Sequence, residues 1–403
     1  MAAGEPGQPG QPTRAAEPYL TQRLQPFTTT IFATMSELAI ATDSVNLGQG
    51  FPDTDGPDEL KDTAIAAIRQ GRNQYPPGNG VPELRSAVAA HQRSWYGIDL
   101  NPDNEVLVTV GATEAIAATM LALCDPTDEV VMFEPLYDSY AASAAMAGAV
   151  PRPVRLHPPD WHFNPDELAA AIGPRTKMIL LNSPHNPTGK VFTPEELGQV
   201  AALCRAHDLL AVTDEVYEHL VFDGAHIPLA TLPGMAERTL TISSGGKTFS
   251  FTGWKVGWVS GPAPLVAAVR AAKQFMTYTS PAPFQLAIAR GLGFSPDALK
   301  SPAVELRARR DQLCDGLAAL GYEVYRPAAT YFATTDIAPV APGLSAQEFC
   351  LALPARCGVV AIPSSVFYDP ADPDAGRTLV RWAFCKRAGV VEEALIRLAS
   401  WGP

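Results

Sequence analysis

The sequence predicts an α/β protein with a large domain built on a mostly parallel sheet and a smaller α+β domain. Three observations support this: a length of 403 residues, an alternation of short apolar runs with helical patterns between residues 100 and 260, and a different pattern near the C-terminus. A single hydrophobic core stops growing at about 250–300 residues, so a chain of this length is expected to divide.

The strand candidates of the large domain are short apolar runs rich in β-branched residues. Helical stretches at 113–123 and 194–206 separate some of them, and the second begins with Thr193 and Pro194 followed by two glutamates, as a helix start does. Near-continuous apolar strands alternating with helices indicate a parallel sheet covered on both faces. The candidates are 105–110, 129–133, 177–182, 209–213, 239–243 and 256–260.

The small domain is predicted from the C-terminal part of the chain and an N-terminal arm that packs back onto it. A helical region at 284–320 precedes it. Its strand candidates are 322–326, 331–335, 358–362 and 379–385, and its helices 345–356 and 390–400. The predicted organisation is a disordered tail at 1–18, the arm at 19–54, the large domain at 55–295 and the small domain at 296–403.

Composition disfavours several classes of function. A net charge of −12 without a dense basic run argues against nucleic acid and anionic membranes as partners. No apolar run approaches the ~20 residues that span a bilayer, and the N-terminus lacks the features of a secretory signal, so we expect a cytoplasmic protein. Six scattered cysteines and seven histidines form no metal-binding pattern, which predicts buried reduced thiols and no metal.

Lys247 carries the strongest chemical signal in the chain. It lies in Ser-Ser-Gly-Gly-Lys-Thr-Phe-Ser, residues 243–250, directly after a predicted strand. A glycine-rich turn lets backbone crowd around the amine, which can then lose solvation and become nucleophilic. A lysine in such a loop, taken alone, is more often simply solvated. The other residues at the strand ends therefore decide its meaning.

An acid and two amides follow neighbouring strands. Asp214 closes the strand 209–213, where a buried carboxylate needs a cation or several donors, although a helix-capping aspartate is an equal alternative. Tyr217 lies three residues further on, on the same face if the turn is helical. Asn182 and Asn186 bracket a proline-rich loop after another strand. These residues are expected to meet at one edge of the sheet.

Cationic and anion-binding features follow other strands. Gly111, Ala112 and Thr113 open a helix whose free N–H groups suit an anion, although a plain strand-to-helix turn is more common. Ser244 and Lys255 add a hydroxyl and a cation near the same edge. Arg381 lies in an apolar strand, where either a substrate carboxylate or a structural ion pair would suit its guanidinium.

Together these residues are typical of a pyridoxal phosphate site. An imine-forming lysine, an acid for the ring nitrogen, a phenol and an amide for the ring hydroxyl, a phosphate seat and a carboxylate clamp are the groups that this cofactor uses. The sequence also resembles the class I/II aminotransferases of fold type I over nearly its whole length beyond the tail. The matching stretches are 46–53, 73–78, 186–189, 213–217, 244–249 and 253–258.

The resemblance implies a seven-stranded large sheet and a role for each matching residue. Lys247 would form the imine, Asp214 would contact the ring nitrogen, and Asn186 and Tyr217 the ring hydroxyl. Tyr137 would stack on the ring, and Arg381 would bind the substrate carboxylate. The phosphate positions would be Gly111, Ala112, Thr113, Ser244 and Lys255, where many relatives have arginine instead of this lysine. Gly50 would belong to a mobile segment over the substrate, and Tyr75 would reach the phosphate of a neighbouring subunit in a homodimer.

Two groups within the family share further motifs. Asn-Ser-Pro-His-Asn-Pro-Thr-Gly and Ala-Pro-Phe-Gln favour the N-succinyldiaminopimelate aminotransferases of lysine biosynthesis, with 2-oxoglutarate as the amino acceptor. Asn-Leu-Gly-Gln-Gly-Phe-Pro-Asp is shared with the kynurenine/glutamine aminotransferases, and a cysteine-conjugate β-lyase is a further alternative on the same scaffold. Phe32 and Tyr278 are candidates for the pocket that would distinguish their amino acid substrates.

Other classes are disfavoured by missing motifs. Ser244 and Lys247 have the spacing of a penicillin-recognising hydrolase, but Ser-Asp-Asn and Lys-Thr-Gly do not follow. No Gly-x-Gly-x-x-Gly follows a strand, as a dinucleotide-dependent oxidoreductase would require. A cofactor-sensing regulator would need a DNA-binding extension, which the N-terminal tail does not resemble.

Overall fold

The computed structural model describes residues 19–27 and 30–401, so the predicted tail lies outside the described residues. The strands are β1 Val45–Asn46, β2 Val106–Val110, β3 Glu129–Glu134, β4 Val150–His157, β5 His162–Phe163, β6 Thr176–Asn182, β7 Leu210–Asp214, β8 Thr239–Ser244, β9 Val256–Ser260, β10 Glu323–Tyr325, β11 Phe332–Asp336, β12 Val359–Val360, β13 Ile362–Pro363 and β14 Leu379–Ala383.

The α-helices are α1 Ile31–Ala41, α2 Asp58–Arg69, α3 Pro82–Tyr96, α4 Gly111–Leu123, α5 Asp138–Ala147, α6 Pro165–Ala170, α7 Pro194–Ala206, α8 Gly245–Thr248, α9 Ala263–Lys273, α10 Ala282–Leu292, α11 Pro296–Ala319, α12 Ala346–Cys357 and α13 Ala388–Leu398. Helix α7 begins as predicted, because Thr193 and Glu196 form a reciprocal capping box. Short 3-10 helices lie at Gln22–Phe27, Leu229–Thr231, Thr252–Trp254, Ser364–Phe367 and Ala399–Trp401.

The large sheet has the strand order β2-β9-β8-β7-β6-β3-β4-β5. Strands β8, β7, β6, β3 and β4 run parallel, whereas β9 is antiparallel to both of its neighbours. The α/β class and the six strand candidates are confirmed. The sequence candidates did not include β4, and the two-residue β5 extends the expected seven strands to eight.

Both faces of the large sheet are covered, as its apolar strands predicted. Alternate strand residues enter two different cores: Val131 and Ile179 pack into one, and Met132 and Leu180 into the other. Strand residues with no exposed face read as continuous apolar runs. Polar residues stand at the carboxyl ends of three of these strands: Asn182 ends β6, Asp214 ends β7 and Ser244 ends β8.

The C-terminal part forms a four-stranded antiparallel sheet in the order β10-β11-β14-β13. The N-terminal segment packs against this part: β1 pairs in parallel with β12, and Met35 of α1 is buried in the same core as Trp382. The predicted strand 358–362 is divided, because β12 pairs with β1 while β13 pairs with β14.

The structure bears on two expectations from the sequence, one about the cysteines and one about membrane-spanning helices. All six cysteines are buried and unpaired, which confirms the expected reduced thiols. None of the helices in the described residues combines the length and apolar character needed to cross a membrane.

Candidate active site

A cavity of about 400 Å³ lies at the carboxyl ends of the central strands, where the C-terminal sheet and the N-terminal segment meet them. Its walls include every predicted site residue except two. They are Phe32, Gly50, Gly111, Ala112, Thr113, Tyr137, Asn186, Asp214, Tyr217, Ser244, Lys247, Lys255 and Arg381. Residues up to about 350 positions apart in the sequence thus lie in one cavity, as their positions at the ends of strands predicted.

Lys247 is half-buried in the short helix α8 and faces this cavity. Its Nζ donates a hydrogen bond to the Tyr331 hydroxyl at 2.9 Å and lies 5.7 Å from the centre of the Tyr217 ring. No carboxylate of the described residues forms an ion pair with it. Burial lowers the pKa of the Lys247 amine to about 8, so about a tenth of it is neutral and nucleophilic at pH 7 and about half at pH 8.

Asp214 ends β7 at the floor of the cavity. Its carboxylate accepts a hydrogen bond from the Tyr140 hydroxyl at 2.7 Å and a longer one from the Val216 amide at 3.3 Å. Burial raises the pKa of Asp214 to about 6 despite these donors. A turn follows instead of a helix, so the carboxylate does not cap a helix and can receive a cation from the cavity.

Arg381 is fully buried on β14 and donates to two neutral oxygens. Its Nη1 contacts Asn186 Oδ1 at 3.2 Å and its Nη2 contacts the Gly48 carbonyl at 2.8 Å, while Nε has no partner. The guanidinium lies 4.1 Å from the centre of the Phe332 ring. The structural ion pair considered for Arg381 is not formed among the described residues, and burial lowers its pKa to about 10. The guanidinium is therefore available to an anionic ligand.

The start of α4 lies in the cavity wall and presents free backbone N–H groups, which suit an anion. Gly111 has a φ of +71°, no side chain of the N-cap residue caps the helix, and the first amide N–H groups have no intrahelical acceptor. A Cβ on Gly257 would lie 2.7 Å from the Gly111 carbonyl carbon, so only glycine fits behind this turn. Ser244 and Lys255 line the same cavity, which adds a hydroxyl and a positive charge.

The two remaining predicted residues, Tyr75 and Tyr278, do not line the cavity of their own chain. Their rings pack edge to face with centres 5.9 Å apart, and they are 85% and 48% exposed. The sequence interpretation expected Tyr278 in the substrate pocket. In the structure Tyr278 does not line the cavity of its own chain. A tyrosine that serves a neighbouring subunit would be exposed in a single chain, as Tyr75 is.

Sequence reasoning missed several residues that contact the predicted ones. Tyr140 follows Tyr137 by three residues, a helical spacing that could have indicated its approach to Asp214. Tyr331 and Phe332 gave no signal, because aromatic residues before an apolar strand usually belong to a core. Gln49 and Phe51 line the cavity next to Gly50.

One group of side chains in the described residues has the composition of a metal site: His91, Glu218 and His219. The two histidine Nε2 atoms lie 2.8 Å apart, a hydrogen-bond distance, whereas two imidazoles on one zinc ion lie roughly 3.3 Å apart. Both Glu218 oxygens already accept hydrogen bonds, from the Ser243 and Tyr96 hydroxyls. This geometry is that of a buried hydrogen-bonded network, and the absence of a metal remains a prediction.

The fold and the cavity together define an enzyme of the pyridoxal-phosphate-dependent aminotransferase class. A half-buried lysine, a buried acid, the free N–H groups of a helix start and an arginine with no ion pair among the described residues lie in one cavity. They fit the aldehyde, ring nitrogen and phosphate of the cofactor and the carboxylate of an amino acid. The family model for aminotransferases of class I and II matches residues 42–390, and the chain belongs to this family. Pyridoxal 5′-phosphate is its cofactor.

Several relatives in this family are named for a particular amino acid substrate. The chain is 50% identical, over 94% of its length and 97% of the relative's, to the probable N-succinyldiaminopimelate aminotransferase of Mycobacterium tuberculosis. The solved structure of that aminotransferase matches with a TM-score of 0.93 over 95% of this chain and all of that one. The methionine aminotransferase of Escherichia coli is 38% identical, over 92% of this chain and 95% of its own. Mouse kynurenine–oxoglutarate transaminase 3 is 36% identical, over 94% and 90%.

Proposed function

We propose that this enzyme transfers the amino group of N-succinyl-LL-2,6-diaminopimelate to 2-oxoglutarate by a ping-pong mechanism. The observation that carries the choice of donor is the 50% identity to the Mycobacterium tuberculosis relative, which exceeds the 36% identity to the mouse kynurenine enzyme. The cavity supports the reaction class, because Lys247 and Arg381 face it and neither forms an ion pair with a carboxylate in the part of the chain that the structure describes.

Bound pyridoxal phosphate supplies the electron sink that makes the substrate Cα proton acidic. Lys247 would hold the cofactor and, as a free amine, would take this proton on Nζ and release it again from the same atom. Its lowered pKa suits this exchange, since a base works best when its pKa lies near the working pH. Asp214 would keep the ring nitrogen protonated.

The other cavity residues bind and orient. The amides of Gly111, Ala112 and Thr113 with Ser244 and Lys255 would hold the phosphate. Asn186 and Tyr217 would contact the ring hydroxyl, and Tyr137 would lie against the ring. Arg381 would bind the substrate carboxylate through the two nitrogens that now contact neutral oxygens. Gly50 and Phe32 would enclose the substrate, with Tyr278 contributing at the subunit boundary.

We further propose a homodimer with shared active sites, in which Tyr75 reaches the phosphate of the partner subunit. Exposed aromatic and apolar side chains around Tyr75 and Tyr278 support this, since Phe275 is 86% and Met276 42% exposed. The domain boundaries at 54/55 and 295/296 are part of the proposal; the second falls between α10 and α11. A cytoplasmic location remains a prediction.

The test is a comparison of kcat/KM for N-succinyl-diaminopimelate, kynurenine, glutamine and methionine as donors to 2-oxoglutarate. We expect N-succinyl-diaminopimelate to be preferred by at least 10-fold; a preference for kynurenine or glutamine would favour the alternative group. Release of pyruvate and ammonia from a cysteine conjugate without any oxo acid would reveal β-lyase activity.

The reaction class has a separate test. Borohydride should trap the cofactor on the Lys247 peptide, and Lys247→Ala should abolish both trapping and transamination. Lys61→Ala, at a surface lysine paired with Asp58, is the matched control and should retain both. Activity in Lys247→Ala would overturn the assignment.

A further inference from the structure

Tyr331 connects Lys247 to the backbone of the N-terminal segment. Lys247 Nζ donates to the Tyr331 hydroxyl at 2.9 Å, and that hydroxyl donates to the Gly50 carbonyl at 2.7 Å. A phenol has one hydrogen to donate, and the Gly50 carbonyl receives it. The lone pairs of the phenol oxygen are therefore left for the amine of Lys247, which fixes the direction of both hydrogen bonds.

Side chains of the C-terminal sheet region donate to three backbone carbonyls of this segment. Arg381 donates to Gly48 and Lys386 to Phe51, each at 2.8 Å, and Tyr331 holds Gly50 between them. The packing is close, since a Cβ on Gly50 would lie 2.7 Å from Cε1 of the neighbouring Phe332. The Tyr331 hydroxyl is thus oriented only while the segment lies over the cavity.

We propose, on the basis of the aminotransferase function above, that Tyr331 is a positioning residue that orients the free amine of Lys247 for proton transfer. A neutral amine has two N–H bonds and one lone pair. One N–H held by Tyr331 restricts rotation about the Cε–Nζ bond and leaves the lone pair for the cavity. The Cα proton would move to Nζ, the electron pair of the C–H bond would pass to the electron sink that the cofactor supplies, and Tyr331 would keep its own proton.

The surroundings of Tyr331 support a neutral partner. Its ring is buried and packs edge to face against Tyr217, with centres 5.3 Å apart. Burial raises the pKa of the Tyr331 hydroxyl well above its usual value, so it remains protonated during turnover. A carboxylate at this position would pair with the ammonium and hold Lys247 in its charged form. A phenol can hold the amine in either state.

The first measurement uses the apoprotein and needs no turnover. The rate at which apoprotein captures pyridoxal phosphate, followed by absorbance, reports the neutral fraction of Lys247 as pH rises. A hydrogen bond stabilises an ammonium more than an amine, so Tyr331→Phe should raise the acid dissociation constant about fivefold and move the midpoint down by about 0.7 pH unit. The plateau at high pH should equal that of the unaltered protein, which shows that the cavity is intact.

The second measurement is steady-state transamination. Tyr331→Phe keeps the ring, so we expect kcat to fall about 10-fold with KM changed less than about twofold, because only the orientation of the base is lost. The matched control is Tyr322→Phe, which removes a buried hydroxyl that has no partner among the described residues. It should change neither the capture midpoint nor kcat.

The outcomes separate this inference from the function beneath it. If the unaltered protein and Tyr322→Phe capture cofactor and Tyr331→Phe matches them in both midpoint and kcat, the role of Tyr331 is wrong while the aminotransferase assignment stands. If the unaltered protein captures no pyridoxal phosphate at any pH, the proposed function fails, and the role of Tyr331 fails with it.

Discussion

Replacing Arg381 by methionine should separate function from stability, because this arginine is buried and forms no ion pair with a carboxylate of residues 19–27 and 30–401. Burial lowers its pKa from 12.5 to about 10. At about 1.4 kcal/mol per pH unit, keeping the guanidinium charged inside the folded apoprotein costs about 3.5 kcal/mol. The hydrogen bonds to Gly48 and Asn186 offset this by about 1.5 kcal/mol each. The two contributions nearly cancel, so Arg381→Met should change the free energy of unfolding by less than about 1.5 kcal/mol.

Activity should respond very differently to the same change. A bidentate contact with the substrate carboxylate contributes about 3–5 kcal/mol, so Arg381→Met should lower kcat/KM by about 10²–10⁴-fold. Arg310 provides the matched control, since it is also buried but is paired with Asp223 and Asp311. Arg310→Met should destabilise by about 2 kcal/mol, below the usual 3–5 because Asp223 is 57% exposed.

Urea denaturation of the apoprotein and steady-state kinetics of the holoenzyme measure the two effects. The reasoning is refuted if Arg381→Met retains kcat/KM within threefold of the unaltered enzyme. It is equally refuted if this variant loses more than about 3 kcal/mol of stability, since the arginine would then have a structural partner that the geometry does not show.

Three further predictions concern the same region. Because burial lowers the pKa of Lys247 to about 8, capture of pyridoxal phosphate by the apoprotein should quicken about tenfold per pH unit below that value and level off above it; a flat profile from pH 6 to 9 would contradict this. Gly50→Ala should raise KM at least about 10-fold in steady-state kinetics, since the added Cβ would collide with the Phe332 ring. Gly198→Ala is the control, because its Cβ would lie in open space; it should leave KM unchanged and stabilise helix α7 by up to about 1 kcal/mol. Glu218→Gln should lower the free energy of unfolding, measured in urea, by about 1–3 kcal/mol. The two carboxylate oxygens accept hydrogen bonds from the Tyr96 and Ser243 hydroxyls, and the amide keeps only one accepting oxygen. Equal stability would show that these hydrogen bonds do not stabilise the fold.

The large sheet could be predicted wherever a strand was buried on both faces, and β4 shows the limit. Its residues Pro151 and Pro153 disrupt the strand pattern, because proline cannot donate to a β ladder. In the structure β4 pairs with β3 along its length but with β5 only at Leu156 and His157. The side of β4 that faces β5 is therefore mostly a free edge, and proline is tolerated on such edge strands. Pairing of this kind is decided by the finished sheet and not by local sequence.

Most of the candidate site was predictable because its residues end strands or begin helices, and strand ends meet by topology. Tyr331 was not, since its meaning comes from Lys247, 84 residues away, and from Gly50, 281 residues away. Tyr75 and Tyr278 could be assigned only by resemblance, because their proposed contacts lie in another subunit. Local pattern identifies a functional residue when the fold exposes a strand end, and fails when the functional contact is made between two distant segments.

The spacing between the two ends of the cavity follows from one chain of hydrogen bonds. Asn182 Nδ2 donates to the Asp214 carbonyl at 2.9 Å, and Asn182 Oδ1 accepts from the Asn186 amide at 2.7 Å. Asn186 Oδ1 in turn accepts from Arg381 at 3.2 Å. The acid proposed for the ring nitrogen and the arginine proposed for the substrate carboxylate are therefore held in register by two asparagines from one loop. An aspartate at position 186 would also accept from Arg381, but it would neutralise the guanidinium and could not donate to a ring hydroxyl, so an amide is the side chain that serves both neighbours.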